Sequence, residues 1–196
     1  MAETVQRFVP GAEWVGTVHV DLRKDNGLAA DDLKAAVQGG MRRISFGLES
    51  GSQRMLDRMM KGTSVEANAA FIRQAYDAGL SVRCSMFRGF PGETAEDMAK
   101  TADFLQAHAR YLDRVRFMDF KLGQGTPIHD AVNNRSEVAA QIRTEYVDGR
   151  RARVAFFNPE GRDRAYRKAK ARALDAVFQI NRRHLRETAR QFDGIM

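Results

Sequence analysis

Three glycine-bounded segments carry the side chains best suited to chemistry. The first, Gly47-Leu48-Glu49-Ser50-Gly51-Ser52-Gln53, sets a carboxylate between glycines. Its two oxygens can accept from neighbouring hydroxyls, as on a ribose, while the glycines let a ligand approach without a Cβ in the way. The same run also reads as a plain strand-to-helix turn capped by Ser50 or Ser52. The second segment, Arg88-Gly89-Phe90-Pro91-Gly92-Glu93-Thr94, is a preset proline turn feeding a capped helix. The third, Gly123-Gln124-Gly125-Thr126-Pro127, is another glycine-rich exit. Lys61 adds a flexible ammonium beside Gly62, or else a solvated loop charge. Cys84 is the single cysteine, so neither an internal disulfide nor a cysteine-rich metal site is available. Its apolar surroundings read as those of a buried structural thiol.

These segments need strands and helices to hold them. Val15 to Leu22, Arg43 to Leu48, Ser81 to Arg88 and Arg114 to Leu122 are rich in β-branched and apolar residues and read as strands. Between them lie helical stretches: Leu28 to Gln38, Gln53 to Met60, one opening on a Thr63/Glu66 capping box, and one from Thr94 to about Ala109. The strand interval is that of a βα unit, which implies parallel strands with right-handed crossovers. The fold class is therefore α/β, with about four parallel βα units. Four units do not close an eight-stranded barrel, but they make an open sheet or an arc of a larger one. In either case the glycine-rich segments fall at strand carboxyl ends, where such folds bind ligands.

Beyond Asp130 the pattern changes. The expected division is a partial barrel over 1–130 and a basic, helical C-terminal extension over 131–196. Asn133 to Arg153 is polar and reads as loop plus helix. Asp163 to Phe192 reads as one long helix with Leu174, Val177, Phe178 and Leu185 on a narrow apolar stripe. From Arg150 onward there are 13 Arg and Lys against 5 Asp and Glu, so the tail holds the excess charge behind the net +7. Such a tail meets nucleic acid, an acidic partner or water. Hydrophobic residues at 43% and charged residues at 29% suit a globular protein, and no apolar run approaches the roughly 20 residues of a membrane helix. The N-terminal residues lack the basic-then-apolar pattern of a secretory signal, so a cytoplasmic location is expected.

Taken in order, Gly47 to Gln53, Met60-Lys61-Gly62-Thr63, Gly89-Phe90-Pro91-Gly92-Glu93-Thr94 and Gly125-Thr126-Pro127 resemble the later part of a radical S-adenosylmethionine (SAM) core. The similarity is to the branch holding cobalamin-dependent methyltransferases and cyclases and the methylthiotransferases, and it covers about residues 14 to 130. The resemblance implies that the four strands are the third to sixth of a six-unit barrel. It places Glu49 on the SAM ribose hydroxyls, with Ser50, Gly51 and Ser52 beside it, and Lys61 on the methionine carboxylate. Arg83 and Ser85 lie on a cofactor-facing strand, the inward one depending on register. Gly89 and the backbone of Met118 to Leu122 flank the adenine and methionyl groups. His19 either faces the barrel interior or is a hydrogen-bonded core histidine.

The family also implies a 4Fe-4S cluster held by three cysteines in a loop after the first strand, which would precede residue 1. Cys84 alone cannot replace them, and without the cluster no electron reaches SAM to cleave it. Three readings follow. The chain is a fragment or split component of a radical SAM enzyme of radical methylation or rearrangement, inactive alone and completed by a chain or segment carrying the cluster. Alternatively it is a non-catalytic half-barrel that binds a nucleotide-like ligand or a partner. A third reading is nucleic-acid binding through Arg162, Arg164, Arg167, Lys168, Lys170 and Arg172, against the plain alternative of a solvated helix face. An incomplete barrel also predicts an exposed apolar edge on the first strand.

Overall fold

The computed structural model describes residues 2–23, 28–134 and 142–194. Four parallel strands, β1 (Trp14–Val18), β2 (Met41–Glu49), β3 (Ser81–Arg88) and β4 (Arg114–Asp119), lie in sequence order in one sheet. The crossovers carry α2 (Ala30–Gln38), then α3 (Gln53–Arg58) with α4 (Val65–Asp77), then α5 (Ala95–His108); α1 (Ala2–Phe8) precedes β1. This is an arc of a (β/α) barrel, as expected.

The two-residue period of the strands sorts the faces. Ile44, Phe46 and Leu48 of β2 and Val82, Cys84 and Met86 of β3 are buried against Phe71, Ile72, Ala75, Met98 and Ala102 of α4 and α5. The alternate residues face the concave side in register: Thr17 beside Ser45, Ser45 beside Arg83, Arg83 beside Arg114, and likewise Gly47, Ser85 and Arg116. Arg83 and Ser85 thus share one face, and register does not choose between them. The helix expected to open at Thr63 is capped by Ser64 instead, whose side chain accepts from Ala67 N. Thr63 is turned inward and donates to Asn68 Oδ1 at 3.3 Å.

The fourth strand stops at Asp119, short of the expected Leu122. Leu122–Gly123 (β5) instead pairs in a second, antiparallel sheet of order β5-β7-β6, with β6 (Arg143–Asp148) and β7 (Arg153–Phe157). With α6 (Pro127–Asn133), this sheet encloses a small core of Leu122, Ile142 and Val154. Within the region expected as loop plus helix, residues 142–153 are therefore mostly strand, while 135–141 lie outside the described residues. The correction has a physical cause. Charged residues on the open face of a two-sided ribbon dilute its apolar alternation. The Asp148-Gly149 turn signal marks the reversal, with Asp148 Oδ1 accepting from Arg150 N at 3.1 Å.

The expected helix from Asp163 to Phe192 is α7 (Arg164–Asn181), capped by Asp163 through Tyr166 N at 2.7 Å. It ends eleven residues early, and Glu187–Phe192 forms a separate 3-10 turn. Its buried face overlaps the expected stripe only at Val177, while Leu185, also buried, lies past the helix end. Tyr166, Ala169, Ala173, Ala176, Val177 and Ile180 pack inward, whereas Leu174 and Phe178 stay 39% and 61% exposed. Alanines at three- and four-residue spacing let two helices approach closely, a face that hydrophobicity alone hides. Through it α7 joins the barrel core across the expected boundary at residue 130. Asn181 then closes the outer edge of β4. Its amide accepts from Val115 N at 2.8 Å and donates to Val115 O at 2.9 Å, as a neighbouring strand would. At the opposite edge, β1 pairs with β2 alone among the described residues.

Candidate functional site

At the tip of β2 the ladder slips between Gly47 and Glu49, and Glu49 adopts φ 62°. A non-glycine residue there costs about 1 kcal/mol. The side chain folds back over Gly47, where a Cβ would stand 2.5 Å from Glu49 Oε1. Gly47 is thus the space that the carboxylate occupies. Lys61 Nζ reaches the same oxygen at 2.9 Å. Met60, next to it, is the second non-glycine residue in left-handed conformation, at φ 53°. Strain on both sides of one ion pair is characteristic of a functional site.

The end of β1 holds the lysine loop. His19 Nε2 donates to Lys61 O at 3.0 Å, and Leu22 N donates to Gly62 O at 2.8 Å. His19 is therefore a positioning residue. Glu49 is only 7% exposed, and its second oxygen, Oε2, is buried with no hydrogen-bond partner. An orphaned carboxylate oxygen beside a paired one is an acceptor awaiting a donor.

Ser50, Gly51 and Ser52 turn the other way. Ser50 Oγ lies 3.2 Å from Thr101 Oγ1, Gly51 N donates to that hydroxyl at 3.1 Å, and Ser52 Oγ donates to Asp97 Oδ1 at 2.6 Å. These three bind the loop to α5 and do not line the opening. A Cβ at Gly51 would stand 2.7 Å from Thr101 Cα and from Phe104 Cβ. Gly51→Ala is expected to lower the unfolding free energy by about 2 kcal/mol, read as a shifted urea midpoint with an unchanged slope.

The tip of β3 carries two residues that sequence reading passed over. Gly89, at φ 75°, donates its N–H to Glu93 Oε2 at 2.6 Å, and Tyr166 Oη donates to the same oxygen at 2.7 Å. Burial pushes the Glu93 carboxyl up to about 7, despite those bonds, and Oε1 has no partner. Glu93 stood in the quoted turn without a role, and Tyr166 was hidden in a basic helix. Together they lock the Gly89 turn onto α7.

Between these tips lies an apolar hollow of about 570 Å³ lined by Met60, Lys61, Phe87, Phe90, Phe120 and Ile128 among others. A second, of about 350 Å³, lies in the concave face and includes Gly47, Arg83, Ser85 and Arg116. Ser85 therefore belongs to the lumen. Arg83 is drawn toward the strand starts, where its Nη2 meets Asp193 Oδ1 at 2.9 Å. Glu49 and Lys61 are brought together, Gly89 stands behind the wall that Phe90 forms, and Arg83 is directed elsewhere.

The residues present test the implied groups differently. For SAM, the Glu49 carboxylate, cradled over Gly47 with its second oxygen orphaned, and its partner Lys61, which lines the hollow, fit. For an iron–sulfur cluster they do not fit. Cys84 is buried on the helix-facing side, burial raises its thiol far above the ordinary value, and among the described residues no His, Cys, Asp and Glu cluster could hold a metal.

Residues 17–105 match the model of the radical SAM superfamily. This stretch is similar in sequence to that superfamily. A putative methylthiotransferase of Methanocaldococcus jannaschii is 40% identical over 62 residues, covering 32% of this chain and 14% of that protein. The methylthiotransferase RimO of Desulforudis audaxviator is 31% identical over 110 residues, covering 55% and 23%. The chain thus spans less than a quarter of the length of either. The cobalamin-dependent SAM radical enzyme OxsB, with aqua-cobalamin and SAM bound, superimposes with a TM-score of 0.67 at 16% identity, over 87% of this chain and 30% of its own. That likeness concerns the fold, an arc of four parallel strands. No helix among the described residues is long and apolar enough to cross a membrane.

Proposed function

We propose that this chain supplies the later half of a SAM-binding barrel. Glu49 and Lys61 hold the cofactor at the strand tips, and the cluster thiolates come from outside these 196 residues. The observation that carries the reading is the strained Glu49–Lys61 pair, whose lysine lines the 570 Å³ hollow, within the stretch that matches the radical SAM model. When bound and reduced, SAM supplies the radical chemistry of the family; the chain's own residues bind and orient it.

Glu49 offers its orphaned oxygen to a ribose hydroxyl, and Lys61 leaves Glu49 to meet the methionine carboxylate. Exchanging one carboxylate partner for another keeps the ammonium paired throughout, so the cost of opening is small. His19 keeps the Lys61 loop in reach, and the aromatic wall of Phe87, Phe90 and Phe120 excludes water from the flat base. Arg83, Ser85 and Gly89 take part less directly, Ser85 as lumen lining and Gly89 through the turn it fixes. The chain is inactive alone and works with a polypeptide that completes the barrel at the outer edge of β1. The parent reaction is a methylthiolation, the activity named for the two relatives, or a related radical methylation.

The test is reconstitution with a polypeptide bearing the first two βα units and three-cysteine loop of a methylthiotransferase relative. Under reduction, 5′-deoxyadenosine is expected from the mixture and from neither part alone. Glu49→Ala is expected to cut its release at least ~100-fold, from lost positioning. Equal release from the Glu49→Ala mixture would refute the assignment.

A further inference from the structure

The floor of the partial barrel holds a charge arrangement that the strand-tip site does not use. Arg43, Arg83 and Arg114 stand on the concave face near the starts of β2, β3 and β4, with Arg83 in register with Arg114. Arg43 is 2% exposed, so its guanidinium is sealed in the protein. Its Nη1 donates to the Phe192 carbonyl, while its Nε is buried with no hydrogen-bond partner. Burial lowers its pKa, Arg83's charge lowers it further, and Asp193 opposes both.

Asp193 is the carboxylate these guanidiniums share. Its Oδ1 accepts from Arg83 Nη2 at 2.9 Å, and its Oδ2 lies 3.5 Å from Arg114 Nη2. Among the described residues one carboxylate thus faces three guanidiniums, two of them largely buried. A buried cation is costly unless it is fully compensated, and one carboxylate leaves this group short of negative charge. Asp193 itself is half exposed, its side chain at 52%, and it sits on the C-terminal segment just past the 3-10 turn. Space is present on both sides of it. A hollow of about 400 Å³ below is lined by Arg114, Arg183, His184 and Arg190, and the lumen hollow above shares Arg114 and Asn181.

We propose that this floor is a binding site for a small polyanion bearing phosphate or carboxylate groups, and that Asp193 is its internal stand-in. The planar fork of a guanidinium matches either oxyanion with two parallel hydrogen bonds. A polyanion supplies the charge that one carboxylate does not. Its entry displaces Asp193 and frees the C-terminal turn from the floor. The inference is independent of SAM binding at the opposite end of the strands.

The test is calorimetric titration of the full chain with inorganic pyrophosphate and, separately, with citrate. Removing an internal competitor raises apparent affinity by the fraction of time the site was blocked. Asp193→Asn is therefore expected to bind at least one of the anions ~10-fold more tightly than the unaltered chain. Adding Arg114→Gln to it is expected to abolish that gain. Preference for pyrophosphate assigns a phosphate ligand, and preference for citrate assigns a carboxylate one. Affinities within twofold of the unaltered chain for both anions would overturn the proposal. A second measurement uses the unaltered chain, so it does not depend on how the variants fold. Saturating anion is expected to speed tryptic cleavage after Arg186 and Arg190 as the segment leaves the floor. Cleavage unchanged or slowed would equally overturn it.

Discussion

Asp97→Ala is expected to cost about 3 kcal/mol of stability, the largest loss from any single side chain near the strand tips. Asp97 is 2% exposed and serves as a hub. It takes the guanidinium of Arg54, accepts from Ser52 Oγ at 2.6 Å, and caps α5 through Thr94 Oγ at 2.7 Å and Thr94 N at 2.8 Å. Truncation leaves the buried Ser52 hydroxyl without its acceptor and removes half of a capping box. Arg54, half exposed, recovers water, which keeps the loss below that of a fully sealed ion pair. Burial pushes the Asp97 carboxyl up, but its bonds to Arg54, Ser52 and Thr94 outweigh burial and hold it at about 2. A depressed acid stabilises the fold above its unfolded pKa, near 4, and loses that contribution as pH falls toward 2. The unaltered chain is therefore expected to lose about 2 kcal/mol between pH 4 and pH 2 that Asp97→Asn does not lose. Urea midpoints measured at each pH check it, and parallel curves for the two proteins would contradict it.

Glu93→Gln is expected to act in the opposite sense, stabilising the chain by about 2 kcal/mol at pH 8. Burial raises this carboxyl from 4.5 to about 7, so the folded state prefers it protonated. A raised acid contributes fully below its unfolded pKa, and the contribution falls away as pH rises from about 4.5 to about 7. Glutamine keeps an acceptor for Gly89 N and Tyr166 Oη and carries no charge to bury. Melting curves for both proteins from pH 4.5 to pH 8 check this. The unaltered chain should weaken across the range while Glu93→Gln stays level; a variant less stable than its parent at pH 8 would contradict it. Glu93→Ala, by contrast, is expected to destabilise at every pH, because the Gly89 turn loses its tie to α7.

Much of the barrel was legible because its signals are local and strong. The β-branched runs, the glycine stops after Gln38 and Ala78, and the Thr94/Asp97 capping box each name an element without tertiary help. The second sheet was not, because its strands bury few residues and keep one charged face, so periodicity is faint. The buried face of α7 was read only in part, for a related reason. Alanine contributes little hydrophobic signal, and only the partner helix α5 reveals that Ala169, Ala173 and Ala176 face inward.

The candidate site divides along the same line. Glu49 and Lys61 are 12 positions apart in sequence, and the glycine pattern marks both tips, so their pairing was within reach of the motif order. The roles of Ser50, Gly51 and Ser52 were not. Whether a loop hydroxyl faces a ligand or a helix depends on where α5 lies, which is a tertiary fact. Asn181 and Asp193 illustrate the far end of the scale. Their partners, Val115 and Arg83, lie 66 and 110 residues away, and no local pattern links them.

The most direct measurement titrates SAM into the purified chain by calorimetry, beside Glu49→Gln and Lys61→Met. Saturable binding at one site is expected, weakened ~10-fold or more by each substitution, since each removes a charged hydrogen-bond partner from the cofactor. Heat that never saturates, or two variants that bind SAM as tightly as their parent, would contradict the account.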